Sequence, residues 1–117
     1  MQVIDYAVLR GLLAVDANSG TAFILDLTEI FATDARRTLE RMRACVRTGD
    51  YLPLMREAHR LKGSSGTLGA VALACLFVEI ERCARAGSCA GMEARIDHAL
   101  RLLEASCGCI AEFFHGA

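Results

Sequence analysis

Apolar residues recur at helical spacing in four long segments of this 117-residue chain, and glycines mark the breaks between them. A period of three to four residues is typical of an amphipathic helix, whereas a half-buried strand alternates with a period of two. The only proline, Pro53, falls in the first turn of one segment, where its missing N–H does no harm. The pattern predicts an all-α protein, an antiparallel up-down four-helix bundle with a short additional N-terminal helix.

The breaks set the expected bounds of the helices. A short first helix begins after Asp5, an acceptable N-cap, and covers one end of the bundle. A turn-rich break follows at residues 16–20. Gly49 ends the long second helix, and Asp50 is expected to cap the third. The four long helices are predicted at about Thr21–Thr48, Asp50–Leu68, Val71–Ala86 and Gly91–Phe114, within a single domain over residues 1–117.

The helical period also predicts which side chains face the core. In the second helix they are Phe23, Leu27, Ile30, Phe31, Ala35, Leu39, Met42 and Val46. In the third they are Leu54, Ala58, Leu61, Ser65 and Leu68, and in the fourth Leu73, Leu76, Phe77, Ile80 and Ala84. In the last they are Met92, Ile96, Ala99, Leu103, Cys107, Ile110 and Phe114. The opposite face of the second helix is interpreted as solvated, with Asp34, Arg37, Glu40, Arg41 and Arg43.

Charge and cysteine content exclude several classes of protein. The formal net charge of -1 argues against nucleic acid or an anionic membrane as the main partner, because phosphate binding requires a basic excess. No secretory signal is visible, and no apolar run nears the roughly 18 residues that a membrane span needs. The six cysteines are therefore interpreted as reduced small hydrophobic residues. Their spacing lacks the two tight pairs of a zinc site, so no metal is expected.

His59 stands in the most informative segment of the chain, Ala58–Ala70. On a helix, His59 shares one face with Arg56, Lys62, Gly63 and Gly66, while the apolar residues share the core face, so the imidazole is predicted to be exposed. Glycine inside a helix costs roughly 1 kcal/mol relative to alanine. Two such costs beside one histidine indicate that this face of the helix is kept free of side chains, so that a large binding partner can reach the imidazole.

The neighbours of His59 narrow its chemistry. Acid–base catalysis needs a cleft and a second catalytic group, and metal binding needs further ligands at helical spacing, and the sequence pattern offers neither. A neutral imidazole nitrogen is available as a nucleophile at physiological pH. Capture of a group carried by another protein is the favoured interpretation. Lys62, one helical turn away, would place a compact positive charge near a transferred phosphoryl group.

The segment from His59 to Ala70 resembles the signature of the histidine-containing phosphotransfer (HPt) domain family. That signature is an alanine–histidine pair, lysine and glycine three and four residues after the histidine, small residues, and then leucine–glycine. The similarity extends over nearly the whole chain, and the flanking residues that carry it are Phe31, Leu39, Gly49, Asp50, Leu73, Phe77, Ile80 and Glu81. The resemblance implies a phosphocarrier within a two-component phosphorelay.

The resemblance also implies roles for individual residues. His59 would accept a phosphoryl group from a receiver-domain aspartate and pass it to another receiver, Lys62 would stabilise the phosphohistidine, and Gly63 would leave clearance. Glu81 falls at the position of a family residue that hydrogen-bonds the histidine ring, and it also pairs with Arg85 at helical spacing. Arg85 facing the phosphoryl group is an alternative. The docking surface is expected to comprise Arg56, Gly63, Gly66, Ala74, Val78 and Arg85.

The partners follow from the same resemblance. Receiver domains of response regulators or of a hybrid kinase are the expected partners, and the receiver is expected to bring magnesium, so no cofactor is expected here. We expect a monomeric phosphocarrier that is not an autonomous kinase, because no Walker pattern or other recognised ATP loop is visible. We favour the C-terminal domain of a hybrid sensor histidine kinase over a small free-standing carrier, and a cytoplasmic location in either case. A non-catalytic HPt-like interaction module and a cysteine-based metal or redox module are the alternatives.

Overall fold

The computed structural model describes residues 2–15 and 21–116, and these two stretches form five α-helices and no strand. The helices are α1 (Tyr6–Val15), α2 (Ala22–Thr48), α3 (Tyr51–Thr67), α4 (Val71–Arg85) and α5 (Met92–His115). The prediction of an all-α bundle with a short N-terminal helix is confirmed, and the bounds of the helices agree to within a residue or two. The predicted break at residues 16–20 lies outside the described residues.

The four long helices form a closed ring of neighbours. Helix α3 lies between α2 and α4, and α5 lies between α4 and α2. The N-terminal segment crosses the end where α3 turns into α4, since the Asp5 N–H donates to the carbonyl of Gly69 at 2.8 Å. Ile4 and Leu9 are buried there. The first helix therefore covers one end of the bundle, as predicted.

Two helix ends show how the connections work. The Asp5 carboxylate accepts from the N–H of Ala7 at 3.0 Å and so caps α1 as predicted. Asp50 occupies the N-cap position of α3, but its side chain makes no capping hydrogen bond, contrary to the prediction. Its backbone N–H instead donates to the carbonyl of Cys45 at 3.0 Å, so this residue completes the C-terminal turn of α2.

The predicted core is correct for most of the bundle. Every inward position predicted for α3 and α4 is buried. In α5 the same holds except for Cys107, which is half-buried. The buried Ser65 hydroxyl donates to the carbonyl of Leu61 at 2.6 Å, so this polar group is satisfied within the core.

The first turns of α2 differ from the prediction. Phe23, Leu27 and Ile30 were expected in the core, but they are 56%, 39% and 66% exposed. The inward face begins instead with Ile24 and Thr28. Thr28 is tolerated in the core because its hydroxyl donates to the carbonyl of Ile24 at 2.8 Å. Two apolar stripes overlap in this part of the helix, and the one with the larger side chains faces outward.

Candidate functional site

Helix α3 presents the predicted polar face. Arg56, His59, Gly63 and Gly66 are exposed, and Lys62 is half-buried. The face is oriented by packing, because Leu54, Ala58 and Leu61 are fully buried on the opposite side of the helix. The sequence prediction that His59 is exposed is therefore confirmed.

The ring of His59 is held by a buried carboxylate on α4. Its Nδ1 lies 3.1 Å from Glu81 Oε2 and 3.3 Å from Glu81 Oε1. Glu81 is 9% exposed, whereas the side chain of His59 is 65% exposed. One edge of the imidazole is therefore anchored inside the bundle while the other edge faces solvent.

Arg85 completes this cluster from the next turn of α4. Its guanidinium donates to Glu81 Oε2 at 2.9 Å, so a single carboxylate oxygen contacts both Arg85 and His59. The guanidinium compensates the charge of the nearly buried carboxylate, which would be costly to desolvate unpaired. Both sequence interpretations of Glu81, a partner of the imidazole and a partner of Arg85, hold together in the structure.

The two glycines beside His59 have no packing role. A Cβ atom added to Gly63 or to Gly66 would meet no heavy atom within 4 Å. Neither residue has a positive φ, so the backbone does not demand glycine. The cost of glycine inside α3 is therefore not offset by any contact among the described residues.

The remaining predicted residues surround His59. The Glu81 contact sets the register between α3 and α4, which run in opposite directions, so Val78 lies about level with Lys62 and Gly63, and Ala74 with Gly66. Val78 is 37% exposed and Ala74 is half-buried. None of the salt bridges among the described residues includes Lys62. Its ammonium group therefore remains available to an incoming anion.

A second polar cluster, which the sequence analysis did not predict, fixes α3 against α2. Arg60 donates to Asp34 Oδ2 at 2.7 Å and to the hydroxyl of Thr38 at 2.9 Å. Arg60 also pairs with Glu57, which contacts Arg41 on α2 at 3.4 Å. Asp34 and Arg41 thus bridge two helices and do not merely face solvent, contrary to the prediction. Only the Glu57–Arg60 spacing signalled this cluster in the sequence, since the α2 partners depend on tertiary packing.

The pKa values of the groups in this cluster are shifted in the directions that its hydrogen bonds predict. Hydrogen bonds from Arg60 lower the pKa of the Asp34 and Glu57 carboxyl groups, although partial burial opposes the shift. The same bonds, first to Glu57 and then to Asp34, raise the pKa of the Arg60 guanidinium. Because Arg60 directly follows His59 in α3, the cluster fixes the rotation of the helix that carries the imidazole.

The structure also bears on metal and membrane sites. Among the described residues, no group of three or more histidine, cysteine or acidic side chains is arranged to hold a metal ion. All six cysteines are free, and burial raises the pKa of the Cys107 thiol. Of the helices in the described stretches, none combines the length and apolarity that crossing a membrane requires.

The helical bundle and the arrangement of His59 beside a buried carboxylate, two glycines and a lysine fit the class of histidine phosphocarriers. The chain is a member of the Hpt domain family, whose model matches residues 26–108. The resemblance found in the sequence is thereby confirmed. Members of this family act in histidine phosphotransfer within phosphorelays, as carriers that interact with receiver domains.

A solved structure supports the same assignment over nearly the full chain. The crystal structure of histidine-containing phosphotransfer protein B (HptB) from Pseudomonas aeruginosa PAO1 is similar to this chain, with a TM-score of 0.84 and 27% sequence identity. The match covers 98% of this chain and 96% of the other. No curated protein sequence matches the chain.

Proposed function

We propose that His59 accepts a phosphoryl group from the aspartyl phosphate of one receiver domain and passes it to the aspartate of another. The observation that carries this proposal is the divided environment of the imidazole. Nδ1 lies against the buried Glu81, and the exposed edge carries Nε2. A nucleophile for a group delivered by another protein needs this combination of fixed orientation and open access.

The contact with Glu81 supports Nε2 as the ring nitrogen that reacts. An ionised carboxylate only accepts hydrogen bonds, so the proton of a neutral imidazole resides on Nδ1 and is donated to Glu81. The lone pair then lies on Nε2, at the exposed edge of the ring. Nε2 is therefore the nucleophile in the proposed reaction.

The transfer step involves one bond formed and one broken. Nε2 attacks phosphorus, the N–P bond forms, and the bond between phosphorus and the aspartyl oxygen breaks, so the electron pair leaves with the receiver carboxylate. The ring becomes a cation that keeps its proton on Nδ1, and the adjacent Glu81 carboxylate compensates that charge. Attack by the carboxylate of a second receiver on phosphorus reverses the step and regenerates the neutral imidazole.

The negative charge of the transferred phosphoryl group would be neutralised partly by this chain and partly by its partner. Lys62 stands one turn from His59 and would attract the phosphoryl oxygens as a point charge. Phosphoryl transfer depends on in-line positioning and on neutralisation of charge. We infer that the receiver brings magnesium along with its aspartate.

Labelling of single histidine variants tests this function. A receiver domain is loaded with radioactive phosphate, mixed with the protein, and the label is followed by electrophoresis under alkaline conditions. We expect acid-labile, alkali-stable label on the parent and its loss in His59→Gln. His98→Gln is the matched control, because His98 is exposed on α5, and it should be labelled like the parent.

The result also separates the alternative functions. If His59→Gln is labelled as fully as the parent, the phosphocarrier proposal is wrong. If the parent binds receivers tightly and no receiver labels it, the chain is an interaction module that does not relay phosphate. Stoichiometric zinc in the purified protein would favour the metal module instead.

A further inference from the structure

Arg60 holds α3 against α2 through a connected polar network. All three nitrogens of its guanidinium donate hydrogen bonds, to Asp34 at 2.7 Å, to the hydroxyl of Thr38 at 2.9 Å and to Glu57 at 3.3 Å. The hydroxyl of Thr38, a fully buried residue, in turn donates to Asp34 at 3.4 Å. Because each partner of the guanidinium is fixed on a helix, the network holds the guanidinium in one position between α2 and α3.

This network leaves the guanidinium no direct part in neutralising a phosphoryl group at His59. Its positive charge is compensated by Glu57 and Asp34, whose hydrogen bonds raise the pKa of the guanidinium. Arg60 also projects from α3 about 100° away from His59. An effect of Arg60 on the reaction therefore acts through the position of the helix.

The rotation of α3 about its axis is restrained from both sides. On the α4 side, Nδ1 of His59 lies 3.1 Å from Glu81, and on the α2 side Arg60 donates to its two partners. Core contacts also hold the helix in place, but apolar attraction is non-directional, whereas a hydrogen bond weakens steeply as its angle changes. The polar bonds on the two sides therefore define the rotation of the helix.

A small rotation of α3 would displace the reactive edge of the imidazole. Side chains reach about 5–6 Å from the axis of a helix, so a rotation of about 10° moves the edge of the ring by roughly 1 Å. A misplacement of about 1 Å costs on the order of 10²-fold in rate. The contact with Glu81 fixes one point on the ring, and the bonds of Arg60 fix the helix from which the ring projects.

We propose that Arg60 is a positioning residue for phosphotransfer, because its bonds to Asp34 and Thr38 fix the angle at which Nε2 of His59 meets the phosphoryl group. This role rests on the proposed phosphotransfer function. Arg60 contacts neither the transferred group nor the aspartate that carries it. A buried hydroxyl on α2 is thereby linked to the rate of a reaction on the surface of α3.

Removal of the guanidinium tests this role. Each receiver domain of the host is expressed singly, loaded with acetyl phosphate, and titrated against the parent and Arg60→Gln in single-turnover transfer. We expect the maximal rate to fall about tenfold or more, while the receiver concentration for half-maximal rate stays within about twofold. Arg60→Lys keeps the charge without the planar fork and should fall between the two. A raised half-maximal concentration with an unchanged maximal rate would show that Arg60 contacts the receiver, and would overturn the positioning role.

Thr38 allows the same test at a site that a receiver does not reach, because its side chain is fully buried. Thr38→Val keeps the shape and removes the hydroxyl, whereas Thr38→Ser keeps the hydroxyl. We expect the maximal rate to fall about fivefold in the valine variant and to stay within about twofold of the parent in the serine variant. Equal maximal rates in these two variants would contradict the proposed link through α2.

Arg43→Gln is the matched control for a general loss of stability. Arg43 also joins two helices by a hydrogen bond of 2.7 Å, in this case from α2 to Asp97 on α5. This variant should lose about as much stability as Arg60→Gln in thermal unfolding and should keep the parental maximal rate. If both variants lose the same fraction of the maximal rate, the cause is general loosening of the bundle, and the proposal is wrong.

A measurement on the free protein separates this proposal from the function on which it rests. The ¹⁵N chemical shifts of the His59 ring report the share of the Nδ1–H tautomer without any receiver. We expect a smaller share in Arg60→Gln than in the parent or in Arg43→Gln, because a rotated helix loosens the contact of the ring with Glu81. Ring shifts of Arg60→Gln that match those of the parent refute the positioning role, whether or not a receiver labels the protein. Absence of label on the parent with every receiver refutes the function alone.

Discussion

Replacing Gly63 or Gly66 with alanine should make the protein more stable and less active. Each glycine lies inside α3 with an ordinary helical φ, and an added Cβ would meet no atom within 4 Å. The substitution therefore gains helix propensity, about 1 kcal/mol, without a steric cost inside the chain. For a domain of this size, that gain raises the melting temperature by about 4 °C.

The same methyl group would obstruct a partner that packs on this face. Adding a methyl to a close-packed contact costs typically 1–3 kcal/mol. If Gly63 and Gly66 provide clearance for the receiver, the transfer efficiency of each variant falls from about 5-fold to more than 100-fold. Thermal unfolding followed by circular dichroism and single-turnover transfer from a loaded receiver measure the two effects on the same samples.

Gly108→Ala separates clearance from any general effect of stiffening. Gly108 is a glycine inside α5, and a Cβ there also meets no atom within 4 Å. Helix α5 neighbours α2 and α4, away from the exposed face of α3. The control should gain the same stability and keep the parental transfer rate. The clearance argument is refuted if Gly63→Ala and Gly66→Ala transfer as fast as Gly108→Ala. If either variant is less stable than the parent, the space around that glycine is not open.

Three further perturbations address the other parts of the site. Glu81→Gln keeps an oxygen acceptor and should retain more transfer activity than Glu81→Ala, whose transfer rate should fall about 10-fold or more. The ¹⁵N chemical shifts of the imidazole should show less of the Nδ1–H tautomer in the alanine variant alone. Because Arg60 lowers the pKa of Asp34, the stability from this pair is present above the ordinary carboxyl pKa and is lost as pH falls through the folded value. The urea concentration at the midpoint of unfolding should therefore fall more between pH 5 and pH 3 in the parent than in Arg60→Gln. An equal fall in the two proteins would contradict the pairing. Gly69→Ala should lower stability by about 1 kcal/mol or more in urea unfolding, because φ is +75° and the new Cβ would lie 3.0 Å from a backbone oxygen; an unchanged midpoint would show that this turn relaxes.

The sequence predicted the parts of the fold that depend on local period and lacked the information for those that depend on packing. In α3 and α4 the apolar positions predicted from helical spacing are the buried ones, so the inward face was predicted correctly. At the start of α2 two stripes compete, Phe23–Leu27–Ile30 and Ile24–Thr28–Phe31. The second faces inward although it contains a threonine, because that hydroxyl is satisfied within its own helix.

In the candidate site, too, the features set by helical spacing were predicted, and those set by packing between helices were not predicted from spacing. Exposure of His59 followed from helical spacing alone. The contact between His59 and Glu81 joins residues 22 positions apart, and it was expected only from the resemblance to a family. The bridge from Arg60 to Asp34 and Thr38 was missed, because helical spacing indicates pairs within one helix and not pairs between two.

The arrangement around His59 explains why this surface suits a carrier better than a receptor for phosphate. A carrier in the proposed relay must give up the phosphoryl group as readily as it accepts it, so strong binding of the phosphorylated state would slow the second transfer. The bonds that the structure provides act on the ring and on its helix, through Glu81 on one side and Arg60 on the other. Toward the phosphoryl group this helix offers Lys62 as a point charge and the bare surface of the two glycines. The fold thus fixes the imidazole firmly and, in the proposed relay, would leave most of the stabilisation of the transferred group to the docked receiver.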